Sequence, residues 1–447
     1  MRLAQSSGSR LMGNARGFVL KLLVRQEQSA SYSNILLDRK LSRSQLDERE
    51  KKFAAALFYG VIERKLTLDA VIDSRCNKKT EKLSTDIRNI LRMGIYQLRY
   101  MDSVPDNAAV DESVKLAKKV RNPAAAGFVN AVLRGFVRDD KSLPSVKGRI
   151  KALSLEYSCP EWLVRKWADE YGVKACEGIL RASLGKAPEY VRLNTVRADA
   201  KTIISLLEQE GVHVTDMGHG CIRLSGAGAV EELDAFKQGL IHVQDYSCQL
   251  CCMALDPKSG DTVLDLCAAP GGKTFTIAEL MNDEGRVMAF DLHENRVKLI
   301  KSGAERLGLK SVSAAVNNAK EHNESLPAAD KVLCDVPCSG LGVIRRKPEI
   351  KYKPEEELER LPEIQLDILK TSAAYVRTGG ILVYSTCSLS KAENDDVVQS
   401  FLSENADFEP VPLGELGGRS FDNSQLTVFP DMFDSDGFFI AKFRRLR

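Results

Sequence analysis

Four short apolar runs in the second half of the chain constrain the fold more than any other feature. Each is followed by a turn signal and then by a stretch with helical spacing; the runs are TVLDL (262–266), RVMAFDL (286–292), KVLCDV (331–336) and GILVYST (380–386). Parallel strands are apolar on both faces and need helical crossovers between them. The pattern therefore predicts an α/β domain over residues 241–447, built on a mostly parallel sheet. DGFFIAKFRR (436–445) predicts a late strand at the edge of that sheet.

The preceding 240 residues have a different pattern, in two parts. Over residues 1–140 apolar residues recur at helical spacing and no long strand-like alternation occurs, which predicts an all-α bundle. A polar connector, DDKSLPSVKGR (139–149), follows it. Residues 141–240 then mix helical segments with short strand candidates such as YVRLNT (190–195), which predicts a small α+β unit. We expect three domains with boundaries near residues 140 and 240.

Charge is distributed unevenly along the chain. The net charge of the 447 residues is only +3, but residues 1–140 hold 26 Lys+Arg against 16 Asp+Glu, a net of +10. The remainder holds 38 against 45, a net of −7. A basic module beside an acidic one suggests that a polyanion docks on the first part. A solvated helical surface explains the charge equally well.

The cysteines indicate a reducing compartment. There are 11, an odd number, and basic residues interrupt the first thirty positions, so we expect neither a secretory signal nor a membrane span but a cytoplasmic protein. Cys248 and Cys251 have the spacing of a metal knuckle but lack a second pair at a suitable distance. We expect them to be buried thiols, and we expect no metal.

The stretch VLDLCAAPGGKT (263–274) marks a ligand site. A phosphate loop would need glycine where Cys267 stands, and the dinucleotide fingerprint fails at Ala268, Ala269 and Pro270. A glycine-rich turn after a sheet strand still lets a ligand approach the backbone, and Asp291, at the end of the next strand, is placed to accept from ribose hydroxyls. A nucleoside without a pyrophosphate fits, which indicates S-adenosylmethionine.

Two cysteines follow two further strands. Cys338 lies in KVLCDVPCSGLG (331–342) and Cys387 in GILVYSTCSLS (380–390), so both should stand at the same edge of the sheet as the turn. Methylation of carbon 5 of cytosine needs a thiolate that adds to carbon 6, and then a base that removes the carbon-5 proton. Asp335 is positioned to stabilise the adduct at the N3 and amino edge of the ring. Lys273 is a candidate source of the positive potential that a thiolate requires.

The order of residues also distinguishes carbon from nitrogen as the methyl acceptor. An amino-group methyltransferase would carry Asn/Asp-Pro-Pro-Tyr/Phe at positions 335–338, where this chain has Asp-Val-Pro-Cys. Carbon methylation is therefore favoured. The residues alone do not decide which of the two thiols is the nucleophile.

The motifs together resemble a known family. DLCAAPGGKT, DVPCSGLGVIRRKPEIKY, YSTCS and DGFFIAKF are similar to the bacterial ribosomal RNA cytosine-5 methyltransferases of the Sun/Fmu (RsmB) group, within the NOL1/NOP2/Sun family. VPDNAAVDESVKLAKK and GFVNAVLRG resemble the NusB-like RNA-binding domain of that group. The resemblance implies a Rossmann-like methyltransferase domain with Cys387 as nucleophile and a role for Cys338 in product release.

The resemblance also implies the cofactor residues. They are Cys267, Ala268, Ala269, Pro270, Gly271, Gly272, Lys273, Asp291, Asp335 and an acid after the following strand. At that last position the chain has Asn318, with Asn317 as the alternative. We expect one of the two asparagines to contact the adenine side of S-adenosylmethionine.

Basic residues predict RNA contacts in two places. GVIRRKPEIKYK (342–353) carries Arg345, Arg346 and Lys347 directly after the Pro-Cys motif, and a basic loop there can hold the phosphates of an extruded base. Arg192 and Asn194 match a short family motif, for which a substrate contact and a role in the fold are equally good explanations.

We therefore expect a monomeric enzyme that methylates carbon 5 of a cytosine in small-subunit ribosomal RNA. The same chemistry on transfer RNA is one alternative. An RNA-binding assembly or antitermination factor with a vestigial catalytic half is another, against which the intact Cys387, Cys338 and Asp335 argue.

Overall fold

The computed structural model describes residues 15–28, 33–76, 79–120 and 124–447, which fall into two compact units. The helical unit comprises Met1–Gly185 together with Arg346–Lys353, and the catalytic unit comprises Lys186–Arg345 and Pro354–Arg447. The domain boundaries expected near residues 140 and 240 stay predictions.

The helical unit confirms the predicted all-α bundle. Its helices are α1 (Ala15–Gln28), α2 (Ser33–Leu41), α3 (Glu48–Glu63), α4 (Lys65–Asp73), α5 (Thr85–Tyr100), α6 (Asp106–Ala117), α7 (Ala125–Arg138), α8 (Arg149–Tyr157), α9 (Glu161–Tyr171) and α10 (Val173–Ala182). Helix α3 begins with a capping box, in which the Asp47 carboxylate accepts from the Glu50 amide and the Glu50 side chain accepts from the Asp47 amide. Its apolar face, including Leu57 and Phe58, is fully buried in the bundle core.

The catalytic unit begins with a small antiparallel sheet. Its elements are β1 (Glu189–Leu193), α11 (Ala200–Gln209), β2 (His213–Gly218), β3 (Cys221–Ser225), α12 (Asp234–Lys237) and β4 (Ile241–Val243). The strand order is β2-β3-β1-β4, with every pair antiparallel. This sheet has a hydrophobic core of its own, which confirms the predicted α+β unit.

The large sheet follows. Its strands and the surrounding elements are α13 (Tyr246–Leu255), β5 (Thr262–Asp265), α14 (Gly272–Leu280), β6 (Arg286–Asp291), α15 (Glu294–Leu307), β7 (Val312–Val316), β8 (Ala329–Asp335), α16 (Leu361–Ala374), β9 (Val376–Thr386), α17 (Asp395–Glu404), β10 (Phe408–Pro410), β11 (Gly414–Leu416), β12 (Arg419–Phe421), β13 (Gln425–Val428), α18 (Pro430–Phe433) and β14 (Phe438–Arg445). The order is β10-β14-β9-β8-β5-β6-β7, and β13 also pairs with β14. Strands β5 to β9 are parallel, as predicted.

Strand β14 corrects one expectation. It lies between β9 on one side and β10 and β13 on the other, so it is an interior strand and not an edge strand. Its residues Phe438, Phe439 and Ile440 are all buried, which is why an uninterrupted apolar run occurs there.

The topology brings polar residues to one edge of the sheet. Parallel strands end at the same edge, and in open α/β sheets ligands bind outside those carboxyl ends. Strands β5, β6 and β8 end in Asp265, Asp291 and Asp335, and Asn317 directly follows β7. Strand β9 ends one residue before Cys387. The fold therefore assembles the sequence motifs into a single neighbourhood.

Candidate active site

The turn between β5 and α14 has the tight geometry that its sequence predicts. The Ala268 amide donates to the Phe290 carbonyl at 2.7 Å, and the Gly271 amide donates to the Ala268 carbonyl at 2.8 Å. Gly271 has φ +114°, and a β-carbon there would lie 2.4 Å from the Phe275 ring. Only glycine fits this position without displacing the ring.

The other predicted turn residues line the same loop. Ala268 and Ala269 are buried, Cys267 and Gly272 are partly exposed, and Pro270 is exposed after a cis peptide bond. The turn is therefore a compact backbone surface with few side chains, suited to close approach by a ligand.

Asp291 lies at the end of β6 with its carboxylate almost fully buried. One oxygen accepts from the His293 amide at 3.1 Å, and the other is 3.1 Å from the Arg296 guanidinium. Arg296 also donates to the Ala269 carbonyl at 2.8 Å, so it ties the acid to the turn. A carboxylate oxygen can accept more than one hydrogen bond, so both remain able to accept from a ribose.

The two asparagines after β7 differ in their environments. The Asn318 amide donates to Glu321 at 2.6 Å, and its oxygen accepts from the Lys320 amide at 3.2 Å, so the side chain is engaged within its own turn. Asn317 is buried, and its amide nitrogen has no hydrogen-bond partner in the described part of the chain. An unsatisfied buried donor at this edge favours Asn317 over Asn318 as the ligand contact.

Asp335 forms the centre of the polar edge. One carboxylate oxygen accepts from the Lys273 ammonium at 2.7 Å and the other from the Ser385 hydroxyl at 2.8 Å. Burial is the largest single influence and disfavours the charged form of Lys273, but Asp335, Cys248 and Cys251 together outweigh burial and raise the pKa of Lys273 well above its usual value. Lys273 thus provides a fixed positive charge, directed at Asp335.

The two predicted cysteines, Cys338 and Cys387, lie next to each other. The Cys338 and Cys387 sulfurs are 3.1 Å apart, both thiols are free, and both are partly exposed. The hydrogen bond with Cys387, then burial, then the negative charge of the neighbouring groups, raise the pKa of Cys338 well above its usual value. The two thiols share a hydrogen bond in which either sulfur can be the donor.

Sequence reasoning missed Asp265 as a titratable group of this edge. Its side chain is buried, and one oxygen accepts from the Thr274 hydroxyl at 2.7 Å while the other has no partner in the described structure. Burial raises the pKa of Asp265 to about 7. The available signal was an acid that closes an apolar strand, as Asp291 does.

The predicted RNA contacts at the basic loop are divided between the two units. Arg345, in the catalytic unit, forms an ion pair with Asp434 at 2.8 Å. Arg346 and Lys347, in the helical unit, are partly exposed.

Lys351, four residues further on, is fully buried in the helical unit. Its ammonium donates to the Glu63 carbonyl at 2.8 Å, and burial lowers its pKa to about 8. Lys351 was expected within the basic RNA-binding loop, but this side chain anchors the segment inside the bundle.

Arg192 and Asn194 lie in the interior of the catalytic unit. The Arg192 guanidinium pairs with Glu279 at 3.2 Å, and the Asn194 amide donates to the Gly239 and Leu307 carbonyls at 2.9 and 2.8 Å. Both side chains are buried. Their geometry favours the role in the fold over a substrate contact.

The described residues include neither a metal-binding cluster nor a helix that could span a membrane. No group of three or more histidine, cysteine or acidic side chains is placed to hold a metal ion within residues 15–28, 33–76, 79–120 and 124–447. Among the helices of those same ranges, none is long and apolar enough to cross a membrane.

Three family models match the chain in the order of its predicted parts. The NusB family matches residues 13–138, the RsmF/B-like ferredoxin-like domain matches 159–231, and a model described as 16S rRNA methyltransferase RsmB/F matches 252–444. These matches confirm the NusB-like helical part and the methyltransferase part, and they describe the α+β middle part as ferredoxin-like.

Individual proteins are similar over nearly the whole chain. A probable ribosomal RNA small subunit methyltransferase B of Bacillus subtilis is 39% identical over 443 residues, covering 97% of this chain and 99% of its own length. The ribosomal RNA small subunit methyltransferase B of Escherichia coli is 32% identical, covering 93% and 95%. The crystal structure of PH0851 covers 96% of this chain and 99% of its own at 26% identity, with a TM-score of 0.81.

Proposed function

Since the chain belongs to the 16S rRNA methyltransferase RsmB/F family, we propose that it transfers a methyl group from S-adenosylmethionine to carbon 5 of a cytosine in 16S ribosomal RNA, through a covalent Cys387–cytosine adduct. The observation that carries the proposal is the pair of free thiols 3.1 Å apart at the edge where Asp335 ends its strand. The names of the Bacillus subtilis and Escherichia coli relatives support small-subunit ribosomal RNA as the substrate.

The residues present at the edge of the sheet fit S-adenosylmethionine. The turn at Gly271 has no space for a side chain, Asp291 offers carboxylate oxygens, and Asn317 offers an unsatisfied amide nitrogen. The backbone of Cys267–Lys273 would hold the amino-acid portion, Asp291 the ribose and Asn317 the adenine. When bound, S-adenosylmethionine supplies an electrophilic methyl group to carbon 5 of the pyrimidine.

Cys387 is the nucleophile of the pair. The family resemblance assigns the attacking thiolate to Cys387, and the Cys338 sulfur lies 3.1 Å away, within hydrogen-bonding distance of it. The Cys387 sulfur forms a bond to carbon 6 of cytosine, which moves electron density onto carbon 5 and the N3 edge. The ring then reacts at carbon 5 as an enamine.

Asp335 and Lys273 stabilise the adduct. Lys273 and Ser385 fix the Asp335 carboxylate, which is one-quarter exposed and can accept from the amino group of the ring. A preorganised charge of this kind lowers the barrier because it needs no rearrangement during the reaction.

Cys338 assists product release. After methylation a base removes the carbon-5 proton, the electron pair re-forms the ring double bond, and the carbon–sulfur bond breaks. The Cys338 thiol, 3.1 Å from Cys387, donates to the departing thiolate. Arg346 and Lys347, with the basic helices of their unit, would bind RNA phosphates.

The test is methyl incorporation with two single-cysteine variants. The parent protein should methylate 16S RNA from a strain that lacks the enzyme, and bisulfite sequencing should show one protected cytosine. Cys387→Ala should abolish turnover, by about 10⁴-fold or more, and form no adduct. Cys338→Ala should accumulate an adduct that migrates slowly on a denaturing gel.

Three other results would count against the proposal. An adduct with Cys387→Ala in place of Cys338→Ala would reverse the two roles. Incorporation into transfer RNA alone would change the substrate. RNA binding without incorporation would indicate a binding factor.

A further inference from the structure

Glu393 joins the loops that carry the two cysteines. Its carboxylate is buried and accepts four hydrogen bonds from three residues. The Ser339 amide and hydroxyl donate at 2.8 and 2.5 Å, the Ser388 hydroxyl at 2.6 Å, and the Gln365 amide at 2.9 Å. Ser339 and Ser388 are the residues directly after Cys338 and Cys387.

These contacts leave the two loops little freedom. A buried carboxylate must be fully hydrogen-bonded, since each unmade bond exposes a charge to an apolar surrounding. Four donors occupy about the number of acceptor sites that a carboxylate has. The Ser339 and Ser388 hydroxyls are also 2.9 Å apart, so the two loops contact one another at the carboxylate.

Other residues hold Glu393 and the loops from outside. The Tyr384 hydroxyl donates to the Glu393 carbonyl at 2.6 Å. Gln365 donates to the Pro337 carbonyl at 3.0 Å as well as to Glu393, and so supports the Pro-Cys loop from α16. Asn394 accepts from Thr386 at 2.6 Å and donates to the Ser388 carbonyl at 3.0 Å.

We propose that Glu393 is a positioning residue that sets the spacing of the Cys338 and Cys387 sulfurs by binding the residue after each. Its role in methyl transfer rests on the proposed function; its role in sulfur spacing does not. The same carboxylate also adds to the causes that raise the pKa of Cys338, after the Cys387 hydrogen bond and burial.

The spacing of the sulfurs can be measured without any catalytic step. Phenylarsine oxide bridges two neighbouring thiols with release of one water, and the full-length parent protein should bind it at the Cys338–Cys387 pair. Cys387→Ala should lose this binding, which locates the site. Glu393→Gln replaces one carboxylate oxygen with an amide NH₂ group, which cannot accept the hydrogen bonds donated to that position. The two sulfurs should then be held less well, and the apparent Kd of the variant for the arsenical should rise about tenfold or more.

Methyl transfer provides the second measurement. Glu393→Gln should lower kcat about 100-fold through misplaced sulfurs, while KM for S-adenosylmethionine stays within about twofold. Glu279→Gln is the matched control, because it makes the same change at another buried carboxylate of the unit. It should lose stability but keep both arsenical binding and kcat. If Glu393→Gln does not fold, Ser388→Ala should show the same changes at smaller size.

The outcomes separate the two proposals. Parental arsenical binding and kcat in folded Glu393→Gln, or in folded Ser388→Ala where Glu393→Gln does not fold, would overturn the positioning role. Equal losses in Glu279→Gln would also overturn it, because they would show a general effect on stability. Weakened arsenical binding alongside a parent protein that transfers no methyl group would support the positioning role and refute the proposed function.

Discussion

Two strands of the catalytic unit carry ion pairs with opposite consequences. At the end of β8, Asp335 pairs with Lys273, and the Asp335 side chain is 25% exposed. On β1, Arg192 pairs with Glu279, and both side chains are almost completely buried, at 5% and 0% exposure. Each ion pair includes at least one residue of a motif. Only the first pair leaves a partly exposed carboxylate, so for these two pairs exposure, and not residue type, distinguishes a possible reaction site from a structural contact.

The largest expected effect is a loss of stability when the buried Arg192–Glu279 pair is broken. Arg192→Met removes the arginine that pairs with the buried Glu279 carboxylate, and should lower the free energy of unfolding by about 3–5 kcal/mol. Arg223→Met is the control, because its pair with Asp434 is about half exposed and is worth less than about 1 kcal/mol. Urea denaturation checks both. A loss of RNA affinity in Arg192→Met without a loss of stability would instead indicate the substrate contact.

Asp265 tests whether burial controls the pKa of an acid at the edge of the sheet where the reaction is proposed. The pKa of Asp265 is raised to about 7 in the folded protein, above its ordinary value near 3.8. Below pH 4 both states bind the proton; between pH 4 and 7 only the folded state does, so stability falls as pH rises through that window. The loss is on the order of 4 kcal/mol, and Asp265→Asn should remove it.

Urea denaturation at pH 4.5 and pH 7.5 measures this difference. The parent protein should lose more stability between the two values than Asp265→Asn does. Equal losses would show that Asp265 is ionised in the folded protein and behaves as an exposed acid.

Breaking the partly exposed Lys273–Asp335 pair should lower the rate of methyl transfer more than it lowers stability. Asp335→Asn removes the carboxylate charge from the reacting edge and should lower kcat about 100-fold, while the free energy of unfolding should fall less than in Arg192→Met, because this pair is more exposed. Asp330→Asn is a suitable control, because Asp330 lies at the other end of the same strand and pairs with Arg377. Single-turnover methyl transfer gives the rate. Equal effects of the two substitutions on kcat would show that the rate does not depend on a carboxylate charge at the reacting edge.

Local patterns were sufficient to predict much of this arrangement. The apolar runs gave the parallel strands, and strand direction placed Asp291, Asp335 and both cysteines at one edge. The turn at Gly271 was predictable because its requirement for glycine is local.

The rest depended on partners far away along the chain. Arg192 pairs with Glu279, which lies 87 residues later in the chain. Lys351 donates to the Glu63 carbonyl, which lies 288 residues earlier. Glu393 contacts Ser339 across 54 residues. Such partners have no periodicity and no fixed spacing, so neither the burial of a basic side chain nor the assembly of a hydrogen-bonded cluster can be derived from a local pattern.

The smallest expected effect separates the two asparagines after β7. If the unsatisfied amide nitrogen of Asn317 contacts the ligand, Asn317→Ala should raise the Kd for S-adenosylmethionine about tenfold, which corresponds to the loss of one good hydrogen bond. Asn318→Ala should change it less than about twofold, because that side chain is engaged with Glu321 and Lys320.

Isothermal titration of the full-length protein measures both values. Asn323→Ala controls for the support that Asn323 gives to Asn317, whose oxygen accepts from it at 2.9 Å. If Asn318→Ala gave the tenfold effect, Asn318 would be the ligand contact, as the sequence first suggests. The amide nitrogen of Asn317 would then have to bind water. A large effect from Asn323→Ala without one from Asn317→Ala would count against a contact from Asn317, because removing a donor must weaken binding at least as much as misorienting it.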